Sequence, residues 1–114
     1  MEFLYAFFLL ILLDLPWLLA TSRVAGDMVE SIQGSPIQFR MWPAPVVYLA
    51  LAYLMTRLKT PTEAFLSGFC VYAVYDFTNL SILKKYSPYF AVADSLWGGV
   101  LFALARYILN SLQK

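Results

Sequence analysis

From Phe3 to Thr21 the chain runs the length of a bilayer-spanning helix with one charged residue in it, Asp14. A hydrocarbon core about 30 Å thick takes roughly 20 mostly apolar residues in succession. A signal peptide would begin with a basic region, whereas this chain opens Met1-Glu2 and sets a carboxylate in the apolar stretch. The segment therefore reads as an uncleaved transmembrane helix. The rest of the chain agrees, being 61% hydrophobic and 13% charged over 114 residues. A soluble domain has about a quarter of its residues charged, and a small one, with more surface per volume, needs them most.

Local signals divide the remainder of the chain. A second span runs over about 43–56, with Trp42 and Arg57 at its two interfaces. A third runs over about 61–83, where Thr60-Pro61-Thr62-Glu63 supplies a cap, a proline for the first turn and a capping-box acid. Lys84-Lys85 end it. Ser87-Pro88 opens a fourth span, about 88–112, near whose end Arg106 can snorkel to the interface. The long connection, 22–42, spaces Val24, Met28 and Ile32 as a short interfacial helix would, or is a solvated loop. The expected fold class is all-α, an integral membrane four-helix bundle forming a single transmembrane domain over 1–114. Both termini then share one side, side A; the opposite side is side B. Basic residues divide evenly between the two sides, so the positive-inside rule sets no orientation.

Several function classes drop out. A net charge of +1 offers no footprint for nucleic acid. One cysteine, Cys70, makes no disulfide within the chain and reads as a buried small hydrophobe. There is no histidine. Ser–His and Cys–His nucleophile pairs and histidine-ligated zinc are thereby excluded.

The informative residues are Asp14, Asp76 and Asp94, which fall inside the first, third and fourth spans. Counting about 1.5 Å per residue from the side B ends places all three roughly 10 Å below one surface. An acid near the centre of a span costs about 2.5–3.5 kcal/mol on insertion scales, so the three should face inward and find partners. No lysine or arginine lies at their depth. They either carry protons or share a cation. On the third span Gly68, Tyr72, Tyr75, Asp76 and Asn79 make one stripe at three-and-four spacing. Asp14 and Asp94 each have a tryptophan one turn on, Trp17 and Trp97, and Gly98-Gly99 come directly after the second. Ser95, Gly99 and Ala103 form a small-residue face for close helix approach. The second span adds the hydroxyls of Tyr48, Tyr53 and Thr56. Tyr86, Tyr89 and Trp42 read as an aromatic belt on side B, and Tyr5 and Tyr107 as one on side A.

Leu13-Asp14-Leu15-Pro16-Trp17-Leu18, Tyr75-Asp76-Phe77-Thr78-Asn79 and Asp94-Ser95-Leu96-Trp97-Gly98 together resemble one family, the domain-of-unknown-function family 2177. The likeness runs through nearly the whole chain in order and spacing. It implies small four-helix membrane proteins and supplies no reaction.

The sequence reading is of an ion- or proton-binding cluster at Asp14, Asp76, Asn79 and Asp94, lined by Trp17, Tyr72, Tyr75, Trp97 and Gly98. Oxygen ligands without histidine or thiol suit protons or small hard cations. Channel- or transporter-like passage through so thin a bundle calls for a homo-oligomer. Two alternatives stand beside it: an accessory or assembly subunit whose polar cluster only fixes helix packing, and a membrane enzyme acting on lipid. Expected partners are the lipid bilayer and protons or hard cations, with no nucleic acid and no cofactor.

Overall fold

A computed structural model of the chain describes residues 1–35 and 42–113. It has four helices, α1 (Glu2–Gln33), α2 (Pro43–Thr56), α3 (Pro61–Ile82) and α4 (Pro88–Leu112), and no strand among the described residues. The fold class read from the sequence is the one found.

The helix starts follow from local chemistry. The Thr60 hydroxyl accepts from the Glu63 N–H at 3.2 Å while Glu63 Oε1 accepts from the Thr60 N–H at 3.1 Å, closing the capping box. Ser87 caps α4 by accepting from the Phe90 N–H at 3.2 Å. Pro43, Pro61 and Pro88 each sit in a first turn, where a missing N–H costs nothing.

The first helix differs from its sequence reading. It does not break at Thr21 but continues through Val24, Met28 and Ile32 to Gln33. The Thr21 and Ser22 hydroxyls bond back to the Trp17 and Leu19 carbonyls, at 2.8 and 2.9 Å, so these polar residues leave the helix ladder intact. The stop comes at Gly34, whose φ of 78° closes the helix with an N–H bond to the Glu30 carbonyl. A helix of 32 residues is about 48 Å long, which accounts for the longest dimension of the molecule, 49 Å. The extension does not lie apart as a separate interfacial helix. Its Met28 sulfur accepts from the Ser87 N–H at 3.3 Å, holding it to the α3–α4 turn. The remainder of that connection, residues 36–41, lies outside the described residues.

In space α3 lies along α4, α4 along α1, and α1 along α2. The apolar core fills the side A half, with Ala6 and Leu10 of α1, Met55 of α2, and Leu101, Phe102 and Ala105 of α4 all buried. The polar residues of the three-acid layer fill the other half. Large apolar side chains around the perimeter, among them Phe8, Leu12, Leu19, Val46, Leu66 and Val74, stay exposed. A surface of that kind marks contact with a membrane or with another protein. Among the described residues α1 and α4 have the length and apolarity to cross a bilayer, and α2 is a shorter apolar helix.

The α3–α4 contact closes on glycine. A Cβ at Gly68 would overlap the Gly98 carbonyl oxygen and lie 2.7 Å from Phe102 Cβ. One at Gly98 would meet the Tyr72 ring and the Gly68 carbonyl oxygen. Gly99 lies against Phe65 instead, so the closest approach is one residue away from the Ser95–Gly99–Ala103 face. Gly68→Ala should destabilise the protein by about 3 kcal/mol, the upper range for overpacking, because the obstructing atom is backbone. Thermal unfolding in detergent followed by circular dichroism measures it, with Gly26→Ala, which meets nothing within 4 Å, as the comparison.

Candidate functional site

Asp14, Asp76 and Asp94 are all buried, at 4%, 0% and 8% exposure. They form one layer because α1 and α4 run antiparallel side by side and α3 packs along α4. The acid-to-indole spacing on α1 and α4 becomes a reciprocal exchange. Trp97 Nε1 donates to Asp14 Oδ1 at 2.7 Å, and Trp17 Nε1 donates to Asp94 Oδ1 at 2.9 Å. Between these bonds the two indoles stack, 5.4 Å apart and 11° from parallel. Two copies of Asp-x-x-Trp on antiparallel helices produce this crossing because each indole reaches over one turn toward the other helix's acid. The second oxygen of Asp14 accepts from the Tyr48 hydroxyl of α2.

Asp76 has different surroundings. Its Oδ1 accepts from the Tyr86 hydroxyl at 2.7 Å, and its Oδ2 is fully buried without a hydrogen-bond donor. Asp94 is the acid that acts on Asp76. Tyr72 is half-buried over Gly98 and stands in the electrostatic field of all three acids.

Several side chains depart from the sequence reading. Tyr75 does not line the interior, being 62% exposed; a helical step of about 100° from buried Asp76 turns it outward. Asn79 is half-buried, with Tyr75 and Tyr86 as its polar neighbours, and makes no hydrogen bond to Asp76. Tyr86 leaves the aromatic belt. It is buried because the turn bonded from its N–H to the Leu83 carbonyl folds the ring back against α3. Tyr89 and Trp42 are exposed, as a belt requires. Cys70 is exposed rather than buried, since it falls on the α3 face turned away from α4.

Arg106 does not snorkel. It is buried at 2% exposure and bonded through all of its nitrogens: Nε to Asn110 Oδ1, Nη1 to the Met55 and Leu58 carbonyls, and Nη2 to Glu2 at 2.8 Å. Glu2 also accepts from Gln113. The Arg106 guanidinium holds the Glu2 carboxyl below its ordinary value near 4.5. Among the described residues this is the one ion pair, and it ties α1, α4 and the end of α2 together at side A.

The fold and the buried acid layer define an all-α membrane protein with a polar layer inside its helix packing and one ion-pair network at its side A end. Residues 1–109 match the family model described as predicted membrane protein (DUF2177), and the chain belongs to that family. No curated protein and no solved structure matches it. Among the described residues no three acids, cysteines or histidines come together as a metal site.

Proposed function

We propose that this is a multi-pass membrane protein, with all four helices in the bilayer, that holds and exchanges a proton between Asp76 and Asp94. One observation carries the reading. Asp76 Oδ2 is buried and receives no donor, and Asp94 of α4 is its acidic neighbour. Two ionised carboxylates in that relation repel each other in a low-dielectric interior, and a proton between them removes the repulsion and gives Oδ2 its hydrogen bond. A proton fits better than a metal cation because only two acids meet there, and neighbouring Asp14 already has both oxygens engaged by neutral donors. Tyr86, bonded to Asp76 Oδ1 from the side B turn, is the positioning residue. Passage across the whole bilayer requires a second half-path, which an oligomer supplies.

In proteoliposomes the protein should dissipate an imposed proton gradient. Asp76→Asn should abolish this while preserving the fold, since an amide has nearly the carboxyl's shape. Infrared difference spectra should show a carboxylic-acid C=O stretch that Asp76→Asn removes. If the flux persists in Asp76→Asn, or the stretch is absent at neutral pH, the proton reading fails. A flux that tracks an added metal ion instead would identify the pair as a cation site.

A further inference from the structure

The turn between α3 and α4 sets two lysines over one cavity. The Tyr86 N–H bonds to the Leu83 carbonyl at 3.1 Å, so Lys84 and Lys85 are the two central residues of a β-turn. Contacts with two helices pin this turn. The Tyr86 hydroxyl donates to Asp76 of α3 at 2.7 Å, and the Ser87 N–H donates to the Met28 sulfur of α1 at 3.3 Å. Between the turn and the end of α1 lies a cavity of about 230 Å³, lined by Ile32, Ile82, Leu83, Lys84 and Lys85. Among the described residues neither lysine has a carboxylate partner, the one ion pair being Arg106–Glu2 at side A. The two acids on this stretch of α1, Asp27 and Glu30, are exposed. They are turned about 120° and 180° away from the Met28–Ile32 stripe that faces the turn.

We propose that this cavity binds the phosphate headgroup of an anionic phospholipid, with Lys84 and Lys85 as its counter-charges and Ile32, Ile82 and Leu83 against the lipid's glycerol and upper chain carbons. The lining asks for a phosphate anion joined to apolar carbon. Free phosphate answers the lysines and leaves three apolar side chains bare; a lipid answers both. A zwitterionic lipid carries its own cation beside the phosphate and has less to gain from the lysines. Depth agrees with a lipid source. The helix that starts at this turn, α4, has the length and apolarity to cross a bilayer, so its first residues emerge at a membrane surface. Tyr89, in that first turn and 88% exposed, has the position of an interfacial aromatic. Basic pockets between spanning helices bind anionic headgroups at this level. The volume is below the roughly 300–1,000 Å³ of sites that enclose a whole small molecule, so it takes the headgroup and leaves the chains in the bilayer.

This site uses neither Asp76 nor Asp94 and does not rest on the proton reading. Native mass spectrometry of the protein in neutral detergent, titrated with dioleoyl phosphatidylglycerol, tests it. Dioleoyl phosphatidylcholine is the zwitterionic control, and glycerol 1-phosphate stands for the free phosphate. The wild type should take up phosphatidylglycerol saturably and ahead of phosphatidylcholine, and glycerol phosphate should not displace it. The double variant Lys84→Gln, Lys85→Gln should weaken uptake about 25-fold, at roughly fivefold for each lysine. Ile32→Glu keeps both lysines, sets a carboxylate in the wall and should weaken uptake as well. Arg23→Gln, which removes an exposed charge of α1 outside the cavity, should leave it unchanged. Each replaced side chain is exposed or half-exposed, so circular dichroism should stay that of the wild type throughout. The proposal is overturned by equal uptake of phosphatidylcholine or by full affinity in the lysine variant or in Ile32→Glu. An equal loss in Arg23→Gln also overturns it, by assigning the attraction to overall surface charge. Glycerol phosphate bound as tightly as the lipid overturns the lipid source and makes the cavity a free-phosphate site. Uptake needs no proton gradient, so its failure leaves the proton reading standing, and loss of the proton flux leaves this site standing.

Discussion

Arg106→Met should destabilise the protein by about 3 kcal/mol, the lower range for removing one partner from a buried ion pair. The value falls at that end because the Glu2 side chain keeps 25% exposure and can take up water once the guanidinium is gone. The Met55 and Leu58 carbonyls lose their Arg106 donors as well, at the point where α2 ends. Glu2→Gln should cost less, because an amide oxygen still accepts from Nη2 and leaves the cation with a partner. The pair also sets a pH dependence. The folded carboxyl of Glu2 titrates below its ordinary value near 4.5, so its contribution is complete above that value and disappears as pH falls through the lowered folded value. Unfolding midpoints in detergent, measured across the acid range, should fall more steeply in the wild type than in Glu2→Gln, which keeps the lowered Glu63 carboxyl. An Arg106→Met variant with wild-type stability would show that the side A network forms without holding the helices.

What could be read from the sequence was what local chemistry determines. Pro43, Pro61 and Pro88, with the Thr60 and Ser87 caps, mark helix starts because the groups they satisfy lie within the same turn. The common depth of Asp14, Asp76 and Asp94 was legible because a helix converts residue number into distance at a fixed rate. What escaped depends on contacts between segments. Arg106 and Glu2 are 104 residues apart, and nothing near Arg106 signals a partner at the other terminus. Tyr86 has the position of a belt residue, and only the turn at Leu83–Tyr86 aims it at Asp76. The continuation of α1 past Thr21 depends on hydroxyls that bond back to their own helix, in a segment whose polarity suggested a loop. The repeated Asp-x-x-Trp was legible as a spacing, but the reciprocal exchange it makes was not. Taken singly, each tryptophan reads as packing; on antiparallel neighbours, each spacing answers the other.

That exchange leads to the largest expected loss within the acid layer. Asp14→Leu should cost about 2 kcal/mol or more, because it leaves two half-buried donors, the Trp97 indole and the Tyr48 hydroxyl, without acceptors, at about 1–3 kcal/mol for each that stays out of water. Asp14→Asn keeps one carbonyl oxygen for Trp97 and should lose only a fraction of that. The indoles themselves are in contact, stacked at 5.4 Å, so Trp17→Phe and Trp97→Phe should not add. Each single change removes one donor and disturbs the ring that holds the other, and a coupling energy of about 0.5–3 kcal/mol is expected between them. The control is Trp97→Phe made in the Asp14→Leu background, where the indole N–H has already lost its acceptor. There the substitution should be much milder than in the wild type, because removing an unsatisfied buried donor relieves a cost. Reversible unfolding of the wild type, the two single variants and the double variant in mixed micelles gives the cycle directly. Strict additivity of Trp17→Phe and Trp97→Phe would mean that the two hydrogen bonds form independently and that the stacked pair does not lock α1 to α4.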